Sequence, residues 1–191
     1  MTDVRLTAHY AFINGLQLGN NSSIYLEGGG GLSLPTGRYD SNIHDRDLPE
    51  NFNVGKGTIG YLIEATSVIS INTYGLVFSN SYILNDNTKS GYHFGNQFNS
   101  QLSVYKIIQQ KEYQIIPNFG IGAEHTSTDN YTNNRAVEGT GGNGIFASTS
   151  LNFKTNTWQI GTSFSLPLAE IFSDGEVKSK GRISGHISYI F

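Results

Sequence analysis

The sequence predicts an all-β protein whose antiparallel strands form a transmembrane β-barrel. Only 14% of the 191 residues are charged, whereas a typical soluble domain has roughly 25% charged residues. Tyr and Phe are frequent, with 11 residues each, and Gly accounts for 23 residues. A transmembrane helix needs a run of about 20 apolar residues, and the sequence has no such run. A strand that crosses a membrane needs apolar residues only at alternate positions. Residues 1–191 are predicted to form one domain.

Period-two patterning and turn residues predict nine strands. The closing stretch GRISGHISYIF shows the alternation clearly, with Ile183, Ile187, Tyr189 and Phe191 on one parity. Most of the strands are long enough to match the 9–11 residues that a tilted strand needs to cross a bilayer. LPLAEIF is the one short stretch that could instead form a helical turn. The predicted strands are 4–14, 22–34, 54–67, 70–84, 91–106, 112–125, 142–154, 157–168 and 179–191.

The predicted connections alternate between short and long. Short turns are expected near Ser67 to Ser70, at IQQKE and at KTNT, and long polar loops at 35–53, at 126–141 and at AEIFSDGEVKSK. Outer-membrane barrels have short periplasmic turns and long external loops, and bacterial ones have an even number of strands. Nine strands that start on the external side therefore predict a further strand upstream or one that the pattern misses. An open or differently closed sheet remains the alternative.

The two parities of the strands predict a lipid face and a lumen face. Strand 1 illustrates the lipid face, with Leu6, Ala8, Tyr10 and Phe12. The opposite parity is rich in Gly, Ser and ionisable groups, which predicts a polar lumen; a soluble barrel with its apolar side inward is the alternative. The ionisable side chains would line or constrict the lumen, or else form a structural salt-bridge network that plugs it. These residues are Arg5, His9, Glu27, Lys56, Glu64, Glu124, Arg182 and His186.

The sequence contains no recognisable catalytic motif. HExxH and GxSxG are absent, and there is no Cys to form a disulfide or a thiolate metal site. The net charge of −3 predicts no attraction to nucleic acid. We therefore expect no enzyme activity, no cofactor and no metal. The four glycines Gly28 to Gly31 are expected to mark a bend or a close approach of strands.

Several blocks of the sequence resemble one family of bacterial outer-membrane barrels, described as transporters of the phenol meta-cleavage pathway. The blocks are GGGGLSLPTGRYD, SGYHFGNQFNSQLSVYK, IIPNFGIGAEH, GTGGNGIFASTSLNF and the ending from QIGTSFSLPLAEIF to SYIF. The version here is most similar to those of Bacteroidetes. The resemblance implies a barrel of about twelve strands in the outer membrane of a Gram-negative bacterium. It also implies an N-terminal truncation, because family members carry a signal peptide and further strands upstream.

The resemblance also assigns a role to the last strand. Ile187, Tyr189 and Phe191 resemble the signal that the barrel-assembly machinery recognises, with Gly185 one position away from the usual Gly. The expected function is a porin-like passive channel for small molecules, with hydrophobic or aromatic solutes as one option. The alternative is a non-conducting barrel that acts as a scaffold, adhesin or accessory subunit and binds a protein partner through loops 35–53 and 126–141. A barrel enzyme ranks third.

Overall fold

The computed structural model describes residues 2–43, 50–133 and 135–190, and most of them lie in β-strands. Short 3-10 segments lie at Glu50–Phe52 and Ser173–Gly175. Among the described residues, no helix has the length and hydropathy needed to span a bilayer. The strands are β1 (Val4–Gly19), β2 (Ser22–Leu34), β3 (Gly60–Ile71), β4 (Tyr74–Asn85), β5 (Tyr92–His93), β6 (Gln97–Lys106), β7 (Ile108–Gln109), β8 (Gln114–Thr126), β9 (Asn130–Tyr131), β10 (Gly142–Lys154), β11 (Trp158–Phe172) and β12 (Arg182–Tyr189).

Nine long strands form one antiparallel sheet that curls into a half-barrel. Their order is β1-β2-β3-β4-β6-β8-β10-β11-β12, so each long strand pairs with its neighbours in sequence. The short strand β7 extends the pairing of β8, and β5 pairs with β9 outside the main sheet. Because the nine strands alternate in direction, β1 and β12 run the same way. These two strands are the edges of an open sheet in the described part of the chain.

The predicted alternation of connections is confirmed. Residues 20–21, 72–73, 107–113 and 155–157 make the short connections at one end of the sheet, which we call the short-turn end. Residues 35–59, 86–96, 127–141 and 173–181 make the connections at the opposite end, the long-loop end. The small β5–β9 sheet belongs to the long-loop end, since its strands come from two of these connections.

Several predicted strand bounds are wrong, and backbone geometry explains two of them. The turn between β3 and β4 falls at Asn72 instead of Ser67 to Ser70, because Asn72 adopts the left-handed conformation with φ 54°. β1 continues past the predicted end at residue 14, because Gly15, with φ 72°, lies where the register with β2 shifts, at a β-bulge. β1 and β3 therefore extend further toward the short-turn end than the sequence pattern indicates, to Gly19 and Ile71.

The other differences lie at the long-loop end. The predicted strand 54–67 begins only at Gly60, and the predicted strand 91–106 divides into β5 and β6. LPLAEIF is part of β11 and forms no helical turn. The last predicted strand, 179–191, is shorter as β12, and Phe191 lies outside the described residues.

The two faces of the sheet differ as the parities predict. Large apolar side chains of the convex face are exposed, with Ile183 and Ile187 at 79% and 70% exposure. Polar side chains of the other parity line a cavity on the concave face. The few buried apolar side chains lie toward the long-loop end and are Ile43, Leu62, Ile83, Tyr92, Phe94 and Phe146.

Candidate functional site

The concave face holds a cavity of about 350 Å³ that crosses the middle strands of the sheet. Glu64, Ser81, Asn99 and Glu124 face one another in turn on β3, β4, β6 and β8. They form one row across the cavity wall, since directly opposed residues of neighbouring strands point to the same face. Ser148 and Ser165 continue the wall on β10 and β11.

At one side of this cavity, His9 lies between two carboxylates. Its Nδ1 is 3.1 Å from Glu27 Oε1, and its Nε2 is 3.3 Å from Glu64 Oε2. Both are ion-pair distances, and the imidazole carries a positive charge only when both of its ring nitrogens are protonated. The hydroxyl of Tyr25 donates to the other oxygen of Glu27.

Gly29 makes this arrangement possible. Gly29 is on β2, directly opposite His9 of β1 on one side and Glu64 of β3 on the other. A Cβ atom on Gly29 would lie 2.5 Å from His9 Nδ1 and 2.9 Å from the backbone oxygen of Ala8. The imidazole therefore lies flat over a residue without a side chain and reaches the strand beyond.

At the other side of the cavity, Arg182 reaches from the edge strand β12 to β8. Its Nη1 donates to Glu124 Oε1 over 2.5 Å. The guanidinium carbon lies 4.4 Å from the centre of the Phe146 ring, a cation–π distance. Arg182 thus neutralises Glu124 and covers the aromatic ring.

Neutral hydrogen bonds join the strands between these two ion pairs. Gln101 Nε2 donates to Ser148 Oγ over 3.1 Å, and Asn118 Nδ2 donates to Ser103 Oγ over 3.3 Å. A second cavity of about 400 Å³ adjoins the first and shares Gln101 and Ser148 as lining residues. The concave face therefore combines paired charges with a continuous neutral polar surface.

The remaining residues predicted for the lumen lie apart from the cavity. His186 lies over Gly161, where a Cβ atom would be 2.3 Å from its Cε1. Arg5 is exposed on the edge strand β1. Lys56 is in the connection before β3, because that strand starts at Gly60. The structure therefore brings together Glu64, His9, Glu27, Glu124 and Arg182 of the predicted set, in two ion-pair groups.

The residues that resemble an assembly signal are on the convex face of β12. Ile187 is directly opposite Ile160, and Tyr189 is opposite Trp158. The Tyr189 and Trp158 rings meet edge to face with their centres 4.9 Å apart. Phe191, the third residue of this set, lies outside the described residues.

Sequence reasoning missed a polar core at the long-loop end. Tyr92 is fully buried, and its hydroxyl donates to Asp129 Oδ2 over 2.5 Å. The backbone N–H of Gly95 donates to Asp129 Oδ1 over 2.6 Å, and Thr140 Oγ accepts from the Asp129 N–H over 3.0 Å. Burial, then the hydrogen bond to Asp129, raises the pKa of the Tyr92 hydroxyl. The only sequence signal for this core is the density of Tyr, Gly and Asp in segments that were assigned to strands or solvated loops.

Lys56 connects a second long loop to this core. Its Nζ donates to Asn85 Oδ1 over 2.9 Å, and Asn85 Nδ2 donates to the carbonyl oxygen of Gly95 over 2.8 Å. Burial lowers the pKa of Lys56, and the charge of Arg5 lowers it further. Loop 35–59 also bonds loop 86–96 directly, since Thr58 Oγ1 donates to the carbonyl oxygen of Asn87 over 3.0 Å. The described parts of loop 35–59, loop 86–96 and loop 127–141 are therefore linked by hydrogen bonds into one unit.

No protein-family profile matches the sequence, and no curated protein matches it. In the described ranges, no group of His, Asp or Glu side chains could hold a metal ion. The geometry itself therefore carries the functional argument: an exposed apolar convex face, a polar concave face, and one end closed by packed loops.

Proposed function

We propose that this chain forms a β-barrel in a bacterial outer membrane and acts as a porin-like passive channel for small molecules. The observation that carries the proposal is the reversal of the usual pattern, with apolar side chains on the convex face and polar ones around the cavity. A soluble sheet buries its apolar face, whereas a lipid-facing sheet exposes it. The resemblance to the phenol meta-pathway barrels of Bacteroidetes points to the same class of protein.

The spacing of aromatic residues on the convex face supports a membrane position. Tyr74 and Tyr82 lie on β4, eight residues apart, one near each end of the strand. Eight residues span ~27 Å along a strand, or ~21 Å along the membrane normal at a tilt of about 40°. This matches the apolar band of about 25 Å between two aromatic girdles. Lys106 lies 5.3 Å from the Tyr74 ring centre, as expected for an interfacial base.

Two threonine hydroxyls on the convex face find hydrogen-bond acceptors within the sheet. Thr149 Oγ1 donates to the carbonyl oxygen of Asn118, and Thr162 Oγ1 donates to that of Ser184, each over 3.2 Å. Such pairing is needed in lipid, where no water can replace a missing partner. For the same reason, the proposal requires that β1 and β12 have strand partners when the protein is in the membrane.

The proposal is tested by planar-bilayer conductance of the purified, detergent-folded protein in KCl. Discrete current steps are expected for a barrel with a continuous aqueous lumen. Replacing a lumen carboxylate, Glu27→Gln, should lower the K⁺/Cl⁻ permeability ratio. The matched control is Glu138→Gln, which removes an exposed carboxylate from a long loop. Equal reversal potentials for the two variants would contradict the lumen assignment of Glu27.

A second function is favoured by the packed long-loop end. A barrel whose external loops are fixed by buried contacts suits an accessory subunit or adhesin that presents a rigid surface to a protein partner. Arg135 is exposed on loop 127–141. An Arg135→Ala substitution should leave the buried hydrogen bond between Tyr92 and Asp129 in place, because Arg135 takes no part in it. A chain that inserts stably without conducting, and that loses a partner on Arg135→Ala substitution, would support this function over the channel.

A further inference from the structure

The middle of the concave face carries a band of neutral amide and hydroxyl groups, which we call the amide–hydroxyl band. It spans β4 to β10, and its side chains line the two adjoining cavities of about 350 and 400 Å³. Three hydrogen bonds between side chains hold it in place, two of them between neighbouring strands and one from β6 across β8 to β10. They join Asn99 to Ser81, Gln101 to Ser148, and Asn118 to Ser103.

Each amide of the band retains hydrogen-bonding capacity. Asn99, Gln101 and Asn118 each donate one N–H to a serine hydroxyl, within the described part of the chain. A primary amide has two N–H donors and a carbonyl acceptor, so each keeps one donor and one acceptor side by side. A solute hydroxyl both donates and accepts, and therefore fits such a pair.

The surroundings favour a neutral hydroxylated solute over an ion or an apolar molecule. The carboxylate of Glu124 is paired with the guanidinium of Arg182, and those of Glu27 and Glu64 both contact the imidazole of His9, so each of these carboxylates already has a basic partner within 3.3 Å. Phe146 is buried, with Arg182 over its ring, so it offers no open aromatic surface. An apolar solute would have to displace water from amides and hydroxyls without replacing their hydrogen bonds.

We propose that the amide–hydroxyl band binds small neutral polyhydroxylated solutes, that is, polyols or sugars, as they pass through the lumen. The inference rests on the proposed channel function and names its class of solute. It differs from the expectation of hydrophobic or aromatic solutes, because the wall of the cavity offers hydrogen bonds instead of apolar surface.

The test is a swelling assay with proteoliposomes that contain the purified chain, after KCl conductance has been established. The rate of mannitol entry is compared with that of a polyether of similar mass, which only accepts hydrogen bonds. A pore that selects by size alone would admit the two solutes at equal rates. The wild type is expected to admit mannitol faster. Gln101→Leu and, separately, Asn118→Leu should lower the mannitol-to-polyether ratio by roughly two- to tenfold, the equivalent of one neutral hydrogen bond. Leu102→Met, at an exposed position of the opposite parity on the same strand, is the matched control.

The outcomes separate this inference from the channel function. Conductance with a lowered ratio in either lumen variant supports the proposal. Conductance with equal entry of both solutes, or with a ratio that neither variant changes, overturns the proposal and leaves the channel standing. Absence of conductance refutes the channel function, and the inference falls with it. Unchanged β-sheet circular dichroism of each variant shows that the sheet is still folded.

Discussion

Substituting Tyr92 with Phe isolates the contribution of one buried hydroxyl to the long-loop end. The Tyr92 side chain has 0% exposure, and its hydroxyl is 2.5 Å from Asp129 Oδ2. Its ring packs edge to face on Phe94 and Tyr131, with centres 4.9 and 5.5 Å away. Tyr92→Phe keeps these ring contacts, because only the oxygen atom is removed.

The size of the effect follows from the charge of the acceptor. A hydrogen bond to a charged group contributes about 1.5–3 kcal/mol, and a buried carboxylate that loses a donor lies toward the upper end. Asp129 keeps the N–H of Gly95 as a donor to its other oxygen, over 2.6 Å. We therefore expect Tyr92→Phe to lower the free energy of opening of the long-loop end by about 2 kcal/mol. Tyr131→Phe is the matched control, because the Tyr131 side chain is 37% exposed, and its effect should stay within about 0.5 kcal/mol.

Native-state hydrogen exchange measures this opening directly. The amides of Gly95 and Asp129 should exchange roughly tenfold to a hundredfold faster in Tyr92→Phe, while amides in the middle of β8 should be unaffected. If the two variants exchange at the same rate at Gly95, the Tyr92–Asp129 hydrogen bond does not stabilise the long-loop end and the argument fails.

The remaining predictions concern pH, a glycine and an ion pair. Folding raises the pKa of Tyr92, so the stabilisation by its protonated hydroxyl is complete below about pH 10. Above about pH 10 the free energy of unfolding falls by about 1.4 kcal/mol per pH unit, because the unfolded chain loses this proton first. The difference in thermal stability between wild type and Tyr92→Phe should therefore be larger at about pH 9 than at about pH 11. Gly29→Ala should destabilise the sheet by about 1–3 kcal/mol in urea, because its Cβ would lie 2.5 Å from the neighbouring imidazole. Gly30→Ala is its control, with 3.4 Å to the nearest atom, and equal unfolding midpoints would refute the close-approach argument. Arg182→Met should lower the free energy of unfolding by at most about 1 kcal/mol, because the ion pair between Arg182 and Glu124 is partly exposed. This decrease should be smaller in ~1 M salt, which screens the pair. A large decrease that salt leaves unchanged would contradict the argument.

The alternation of residues was sufficient to predict the nine long strands and the two faces of the sheet. Ile183 and Ile187 on one parity, with Arg182 on the other, already specify which side of β12 carries apolar groups. Period-two patterning depends only on residues that are close in sequence, so it predicts a strand independently of the rest of the chain. The same pattern could not show that the sheet stays open in the described residues, because closure depends on the pairing of the first and last strands.

The long-loop end could not be predicted, because its contacts join residues that are far apart in the sequence. Tyr92 and Asp129 are 37 positions apart, and the sequence pattern places Tyr92 in the strand 91–106 and Asp129 in the loop 126–141. Lys56 falls within the predicted strand 54–67, but the next residue, Gly57, adopts φ 64°, a conformation that ends an extended segment. Sequence patterning predicts regular elements, whereas this core is made from irregular segments that pack on one another.

In the proposed channel, glycine on the concave face bears on whether the charged side chains plug the lumen or line it. Tyr105 lies over Gly75 on the neighbouring strand, where a Cβ atom would be 2.2 Å from its ring, and its hydroxyl is 2.9 Å from Ser70 Oγ on the strand beyond. His9 crosses Gly29 to reach the carboxylate of Glu64 in the same way.

Both side chains thus lie along the wall of the half-barrel instead of projecting from it. A plug requires long side chains that extend toward the axis and meet those of the opposite wall. Glycine at the crossing points permits the flat arrangement, since any Cβ atom there would push the ring away from the sheet. Glycine at these two crossing points therefore supports a lining of side chains along the wall of the proposed channel. Gly75→Ala, by raising the Tyr105 ring, should narrow the proposed lumen and reduce single-channel conductance. An unchanged conductance in a folded Gly75→Ala protein would favour a lumen that is already closed by other groups.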